Sequence, residues 1–499
     1  MKKSLAILIY LFIILITVLF IAFGIFKWPG LHHDAALYTT PIINLAQVKG
    51  WIFESYAYTL VNRSSNQYDF HGFLYQLVFG MIFKTSSYER IFLLSGLINS
   101  ASFLIYTYLA YQKLGQKANP IDIFLSINIG TMAGMICLYL QGRPEHLIPL
   151  IMSIPLLLSE FKFAKKYIAY VSYIIGGLLF ILSPLTSVAY GLGLIYWLTL
   201  RSKRPTQLFV DLASAIILSS ITCMVMIEIF CDFSTLTWIH NVLSARDSTP
   251  QDWSVFINSS SILTAPGWNL IIIFLVLIAL TNLISKKHFL IASILVFIGI
   301  YLTPRSQLYT YVGFLPFILA LTVNQTVSFV FISKFFSKFI KLSVISISCL
   351  YFALLVRTFL TLILYLQYGV SFDEAKLSLG GLGSSSPNNH DSIAFMWLSR
   401  PSFIVFNSLS TPLVTAEPSL FEGDGDNLLI EYQAKFDRNV RFLVMPQVGH
   451  IDSPLESIDL ENSEYRLVHS GWISQRARFM GIKLGGSMPG YQYCLYEKV

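Results

Sequence analysis

SLAILIYLFIILITVLFIAFGIF, residues 4–26, decides how the rest of this chain is read. The run holds no charged side chain, and as a helix rising 1.5 Å per residue it reaches about 34 Å, enough to cross a hydrocarbon core roughly 30 Å thick. Lys2 and Lys3 precede it, as they would precede a signal peptide. Its length exceeds an apolar signal core of about 7–15 residues, and no small-x-small cleavage site follows. It therefore reads as a retained first span.

Runs of the same kind recur along the chain. Of the 499 residues, 55% are hydrophobic and 12% charged, and the mean hydropathy is +0.64. Soluble domains carry roughly 25% charge, so an ordinary water-facing surface is excluded. The net charge of +7 hides two regions. Residues 1–369 hold 24 basic and 12 acidic side chains, whereas residues 370–499 hold 10 and 15. A basic membrane part followed by an acidic tail suggests two compartments. No Lys/Arg run is dense enough to track a nucleic-acid backbone. The five cysteines show no CxxC or Cys/His spacing and read as small buried hydrophobes.

The polar connectors alternate. Lys2/Lys3, Lys113/Lys117, Lys162/Lys165/Lys166, Arg201/Lys203/Arg204, Lys286/Lys287 and Lys334/Lys338/Lys341 fall in one set, and Arg143, Arg246 and Arg305 in the other. By the positive-inside rule the first set is cytoplasmic. The pattern predicts eleven crossings, at 4–26, 89–112, 119–140, 145–161, 166–183, 184–200, 206–231, 268–285, 288–303, 306–332 and 341–366. The fold class expected is an all-α polytopic membrane domain over 1–369, followed by an extracytoplasmic α/β or mostly-β domain over 370–499.

Two outer loops are long. Residues 27–88 predict an interfacial helix, with Thr40 as N-cap, Pro41 at its first position and Gly50 as its stop. The segment 72–84 is too short to cross and is expected to lie flat at the outer surface. The loop 232–266 carries Trp238, His240 and Arg246 with little periodicity. A linker, LGGLGSSSPNN, opens the tail, and strand-like runs follow: SFIVFN, PLVTA, VRFLVMP, YRLVHSGWI and YQYCLYE.

Ionisable side chains gather at the outer junctions, where they usually face a cavity or one another. Asp34 follows the first span with His32 and His33 beside it. QGRPEHL joins the third and fourth spans and holds Arg143, Glu145 and His146; TPRSQLYTY holds Arg305, Tyr309 and Tyr311. Structural readings stand beside functional ones. Pro144 and Glu145 suit the start of a helix, Arg305 suits snorkelling to headgroups, and Tyr309 and Tyr311 suit an aromatic belt. His71 and His240 suit structural roles, and Glu228 needs a partner.

This arrangement resembles the GT-C superfamily of polyprenyl-phosphate-sugar-dependent glycosyltransferases, the relatives of protein O-mannosyltransferases and aminoarabinose transferases. HHDAALYTTPIINLAQVKG matches their acidic residue and interfacial helix, with Asp34 at the acidic position. HGFLYQLVFGMIF matches a second interfacial helix at His71, Leu74 and Tyr75 but lacks its prolines. GRPEHL matches an Arg-Pro-Asp/Glu element. Many members carry paired acidic residues where this chain has Asp34–Ala35, which bears on any divalent metal.

The resemblance implies an inverting transfer of one sugar, from a polyprenyl-phosphate donor to an acceptor hydroxyl on a glycan, lipid or protein, at the outer face of a membrane. Asp34 would be the base, and Arg305 then Arg143 would hold the donor phosphate. His33, Glu145, Tyr309, Tyr311, His71, Trp238 and His240 would line the substrate. The lack of a cysteine framework favours a bacterial inner membrane, with the N-terminus cytoplasmic. Two other classes compete: a transporter or flippase, which would show paired broken helices near the midplane, and a surface-polysaccharide ligase or polymerase. Arg305→Ala is expected to weaken donor binding, and an unchanged apparent donor affinity would count against phosphate contact there.

Overall fold

The computed structural model describes residues 3–28, 38, 39, 42, 73–85, 87–114, 120–161, 163–201, 204–231, 234–247, 293, 352–363 and 366, together with strands between 392 and 498. The membrane part of this set is helical. Helix α1 spans Lys3–Ile25, the short α2 Phe73–Gln76, α3 Tyr88–Leu114, α4 Pro120–Tyr139, α5 Ile148–Glu160, α6 Lys165–Leu182, α7 Pro184–Arg201, α8 Pro205–Phe230 and α9 Thr235–Asp247. Residues 352–363 form a further apolar helix, α10. Expected spans 268–285 and 306–332 lie outside the described residues, as does 288–303 apart from residue 293.

The chain is a membrane protein. Among the described residues, three helices are long and apolar enough to cross a bilayer: Ile7–Ile25, Glu89–Gln112 and Pro205–Phe230. Shorter apolar helices follow at Ile123–Tyr139, Lys166–Leu182, Pro184–Ile195 and Phe352–Ile363. The exposed faces carry the same message. Ile7, Leu11, Ile14 and Val18 on α1, and Phe209, Ile217, Val225 and Ile229 on α8, lie open in rows that water would not tolerate but lipid would.

Lipid offers no hydrophobic drive for one apolar helix to leave it for another, so packing depends on close backbone approach and interhelical hydrogen bonds. Helices α1 and α3 meet through Gly24 and Gly96. A Cβ on Gly24 would stand 2.6 Å from the Phe92 carbonyl oxygen, and one on Gly96 would stand 3.0 Å from the Phe20 carbonyl oxygen. One turn away, the Ser100 hydroxyl donates to the Thr17 carbonyl at 3.1 Å. Helices α6 and α8 use the same device, with Gly177 against Ser219 and the Ser219 hydroxyl donating to the Tyr173 carbonyl at 2.6 Å.

Three sequence expectations are corrected. The segment 72–84 does not lie on the surface as an amphipathic strip. Phe73, Tyr75, Gln76, Leu77, Phe79 and Gly80 are all buried, Leu74, Val78 and Met81 are half-buried, and the end, Ile82–Lys84, is open. Past Gln76 it becomes a π-helix, Leu77–Ile82, a rare form that widens the turn. The interfacial helix starts earlier than its expected cap at Thr40, because Tyr38 and Thr39 are already helical and buried. In 232–266, residues 235–247 form α9, whose start is capped twice. The Glu228 carboxylate accepts from the Thr235 backbone N–H at 3.0 Å and from its hydroxyl at 2.9 Å. Ser234 Oγ accepts from the Thr237 N–H at 3.2 Å. Thr235 is thus the partner Glu228 needed.

In the C-terminal part, β1 (Ser392–Trp397), β2 (Leu413–Ala416), β3 (Asn439–Pro446), β4 (Tyr465–Ile473) and β7 (Tyr491–Lys498) form one sheet in the order β2-β1-β3-β7-β4. The β1–β2 and β1–β3 pairs are parallel, whereas β7 runs antiparallel to β3 and β4. Arg478–Phe479 (β5) and Ile482–Lys483 (β6) make a separate ladder. The SFIVFN run lies outside the described residues.

The close approach at Gly96 gives a direct test. Gly96→Val is expected to lower the melting temperature in detergent micelles, at a cost of about 1–3 kcal/mol for overpacking. Gly191→Ala, where an added Cβ meets nothing within 4 Å, should melt at the wild-type temperature or above.

Candidate functional site

The site is built on the turn between α4 and α5. The chain leaves α4 with the Arg143 N–H donating to the Leu140 carbonyl at 3.0 Å. Gly142 takes φ 86°, in the left-handed region, where a side chain would be strained. Arg143 is extended at φ −109° and ψ 156°, as the residue before a proline prefers. Pro144 then opens a 3-10 turn, Pro144–Leu147, needing no N–H of its own there. Glycine, arginine and proline in this order set the path of the turn.

That path folds two charged side chains back on each other. Arg143 Nε donates to Glu145 Oε2 at 3.1 Å, and the two side chains are 3% and 0% exposed. A buried pair of this kind is held only where the geometry compensates for lost hydration. The Tyr38 ring helps, with the Arg143 guanidinium 5.6 Å from its centroid. Next along the turn, His146 Nε2 lies 2.9 Å from Asn99 Oδ1. Asn99 sits eleven residues into α3, about 16 Å along that helix. The cluster is therefore recessed well below the start of α3.

The segment 73–82 forms another wall. The Tyr75 and Phe79 rings meet at 4.5 Å between centroids with their planes tilted by 40°, and the Phe79 and His146 ring centroids are 6.5 Å apart. The Tyr75 hydroxyl lies beside the Gly142 backbone and within electrostatic reach of Glu145. Burial holds this hydroxyl well above the ordinary phenol range; the Gly142 backbone offsets that slightly and the Glu145 carboxylate adds to it. Tyr75 thus remains a neutral donor. Among the described residues, its hydroxyl, both polar atoms of the Gln76 amide, the Asn99 amide nitrogen and Glu145 Oε1 are buried without a hydrogen-bond partner.

Of the residues singled out from the sequence, Arg143 and Glu145 are brought together. Trp238 is fully buried, its indole edge-on to Phe180 at 5.5 Å, where it ties α9 to α6. His240 is exposed on α9. Asp34, His33, His71, Arg305, Tyr309 and Tyr311 lie outside the described residues. No group of three or more His, Cys, Asp and Glu able to hold a metal ion occurs among the described residues. Sequence reasoning missed Asn99 and Gln76, whose only signal was a lone amide inside an apolar run.

Comparison of the chain with protein-family models and with curated proteins finds no match.

Breaking the ion pair on one side only should be the costly change. Arg143→Met alone leaves a buried carboxylate uncompensated and is expected to cost about 3–5 kcal/mol, whereas the Arg143→Met/Glu145→Leu double variant should recover most of that loss. Unfolding followed in micelles measures the cycle, and strictly additive losses would contradict the pairing.

Proposed function

We propose that this chain is a membrane glycosyltransferase of the GT-C type, moving one sugar from a polyprenyl-phosphate donor to an acceptor hydroxyl at the outer face. One observation carries the reading. Three segments that suggested the resemblance, around Tyr38, around Tyr75 and at GRPEHL, converge on one buried polar cluster. A scaffolding helix bundle has no need to bury an arginine and a carboxylate at one turn, or amide groups left unpaired on the helices beside it, because each is expensive in a low-dielectric interior.

The chemistry follows from the residue types. The acceptor oxygen attacks the anomeric carbon, and its proton passes to the Asp34 carboxylate. The bond between that carbon and the donor phosphate oxygen breaks, and the polyprenyl phosphate leaves with the electron pair. Arg305 meets the charge that develops on it, and bidentate guanidinium contacts are strongest where water is excluded. Arg143, second to Arg305 on sequence grounds, is paired with Glu145, which leaves the phosphate to Arg305. A single displacement inverts the anomeric centre. The proposal includes eleven crossings with a cytoplasmic N-terminus, in a bacterial inner membrane. It also places residues 370–499 as an extracytoplasmic domain.

Asp34→Asn is the test. Sugar transfer should fall by about 10²–10⁴, the usual worth of a positioned base, while membrane insertion and melting temperature stay at wild-type values. Near-normal turnover in that variant would remove Asp34 from the role.

A further inference from the structure

Resting on the transferase reading, we infer that the buried polar groups of Tyr75, Gln76, Asn99 and Glu145, carried by α2, α3 and the α4–α5 turn, form the subsite for the hydroxyl groups of the donor's sugar, not for its phosphate. The assignment starts from what is left unpaired. Gln76 Oε1 and Nε2, Asn99 Nδ2 and Glu145 Oε1 are all buried and partnerless among the described residues, and the buried Tyr75 hydroxyl lies against the Gly142 backbone with its own proton undonated. Each such group costs folding free energy that an apolar replacement would avoid. A native chain that keeps several of them around one turn is best explained by a ligand that completes them.

The mixture of groups identifies the ligand. Glu145 Oε1 and Gln76 Oε1 accept, the Asn99 and Gln76 amide nitrogens donate, and the Tyr75 hydroxyl does either. Sugar hydroxyls need this alternation, since each both donates and accepts. A phosphate needs donors and positive charge. Here the Arg143 charge is matched by Glu145 at 3.1 Å, and the free carboxylate oxygen would repel a phosphate. The Tyr75 and Phe79 rings, tilted against each other at 40°, add an aromatic wall of the kind a sugar's C–H face rests on. Entry requires 73–82 to move, because its buried residues form one side of the cluster. Its π-helical turn, Leu77–Ile82, is a form that recurs at functional sites.

The experiment compares two lipids on the full chain in detergent micelles. One is undecaprenyl phosphate; the other is undecaprenyl phosphate carrying glucose, mannose or arabinose, each tried in turn. Wild type should bind at least one glycosylated lipid more tightly than the bare one. Tyr75→Phe and Gln76→Met should each weaken that glycosylated lipid about three- to tenfold, the worth of one hydrogen bond, and leave bare undecaprenyl phosphate unchanged. Both variants should melt at or above the wild-type temperature, because each removes an unsatisfied buried group. A structural role would instead lower the melting temperature, or weaken both lipids alike, and either result overturns the subsite. So does a wild type that binds both lipids equally, although the transferase reading would survive it. Failure to bind either lipid overturns the transferase reading itself.

Discussion

The arrangement at the α4–α5 turn depends on one constraint: a positive and a negative charge must share a place almost without water. Arg143 and Glu145 lie two residues apart, on a backbone that could have pointed them away from each other. The left-handed Gly142 and the proline-fixed Arg143 aim them together. Once paired, they need walls that keep the dielectric low and hold the pair in register, because water or a shifted partner would weaken their attraction. Tyr38 and Tyr75 approach this pair, and Phe79 lies against His146 beside it. The burial of Phe73, Tyr75, Gln76, Leu77 and Phe79 on one short segment fits this requirement.

The helices supply the rigid frame. Glycine contacts draw α1 against α3, and the Ser219 hydroxyl joins α8 to α6. The Asn99–His146 hydrogen bond ties the turn to α3 well below that helix's start. The polar cluster is thereby recessed, not perched at a surface. Under the proposed sugar transfer, recession would protect a bound donor from hydrolysis and let it feel fixed dipoles more strongly.

Much of the helical frame was legible because lipid imposes a simple rule: backbone polar groups must be satisfied within each span, so spans announce themselves as long apolar runs. Ser4–Phe26 and residues 206–231 are read correctly for that reason. GRPEHL was legible for a different one, since glycine and proline restrict the backbone locally. What failed was long-range. Tyr75 is buried beside Gly142 and Glu145, some seventy residues away, and no pattern within 72–84 distinguishes that from lying in a headgroup layer. Asn99 meets His146 across 47 residues of sequence and leaves no local mark. Helix α9 was missed because its start depends on Glu228, a carboxylate from the preceding helix, and not on its own apolar spacing. Asp34 and Arg305, on which the proposed chemistry also depends, lie outside the described residues.

The central claim is that the donor's sugar is held at the α4–α5 turn beneath 73–82. Photo-crosslinking tests it most directly, with a glycosylated polyprenyl phosphate bearing a diazirine on the sugar and the labelled peptides mapped by mass spectrometry. The account predicts labelling within residues 73–82 and 141–146, suppressed by excess unlabelled glycosyl lipid. Specific labelling confined to other segments, with both of these untouched, would contradict it.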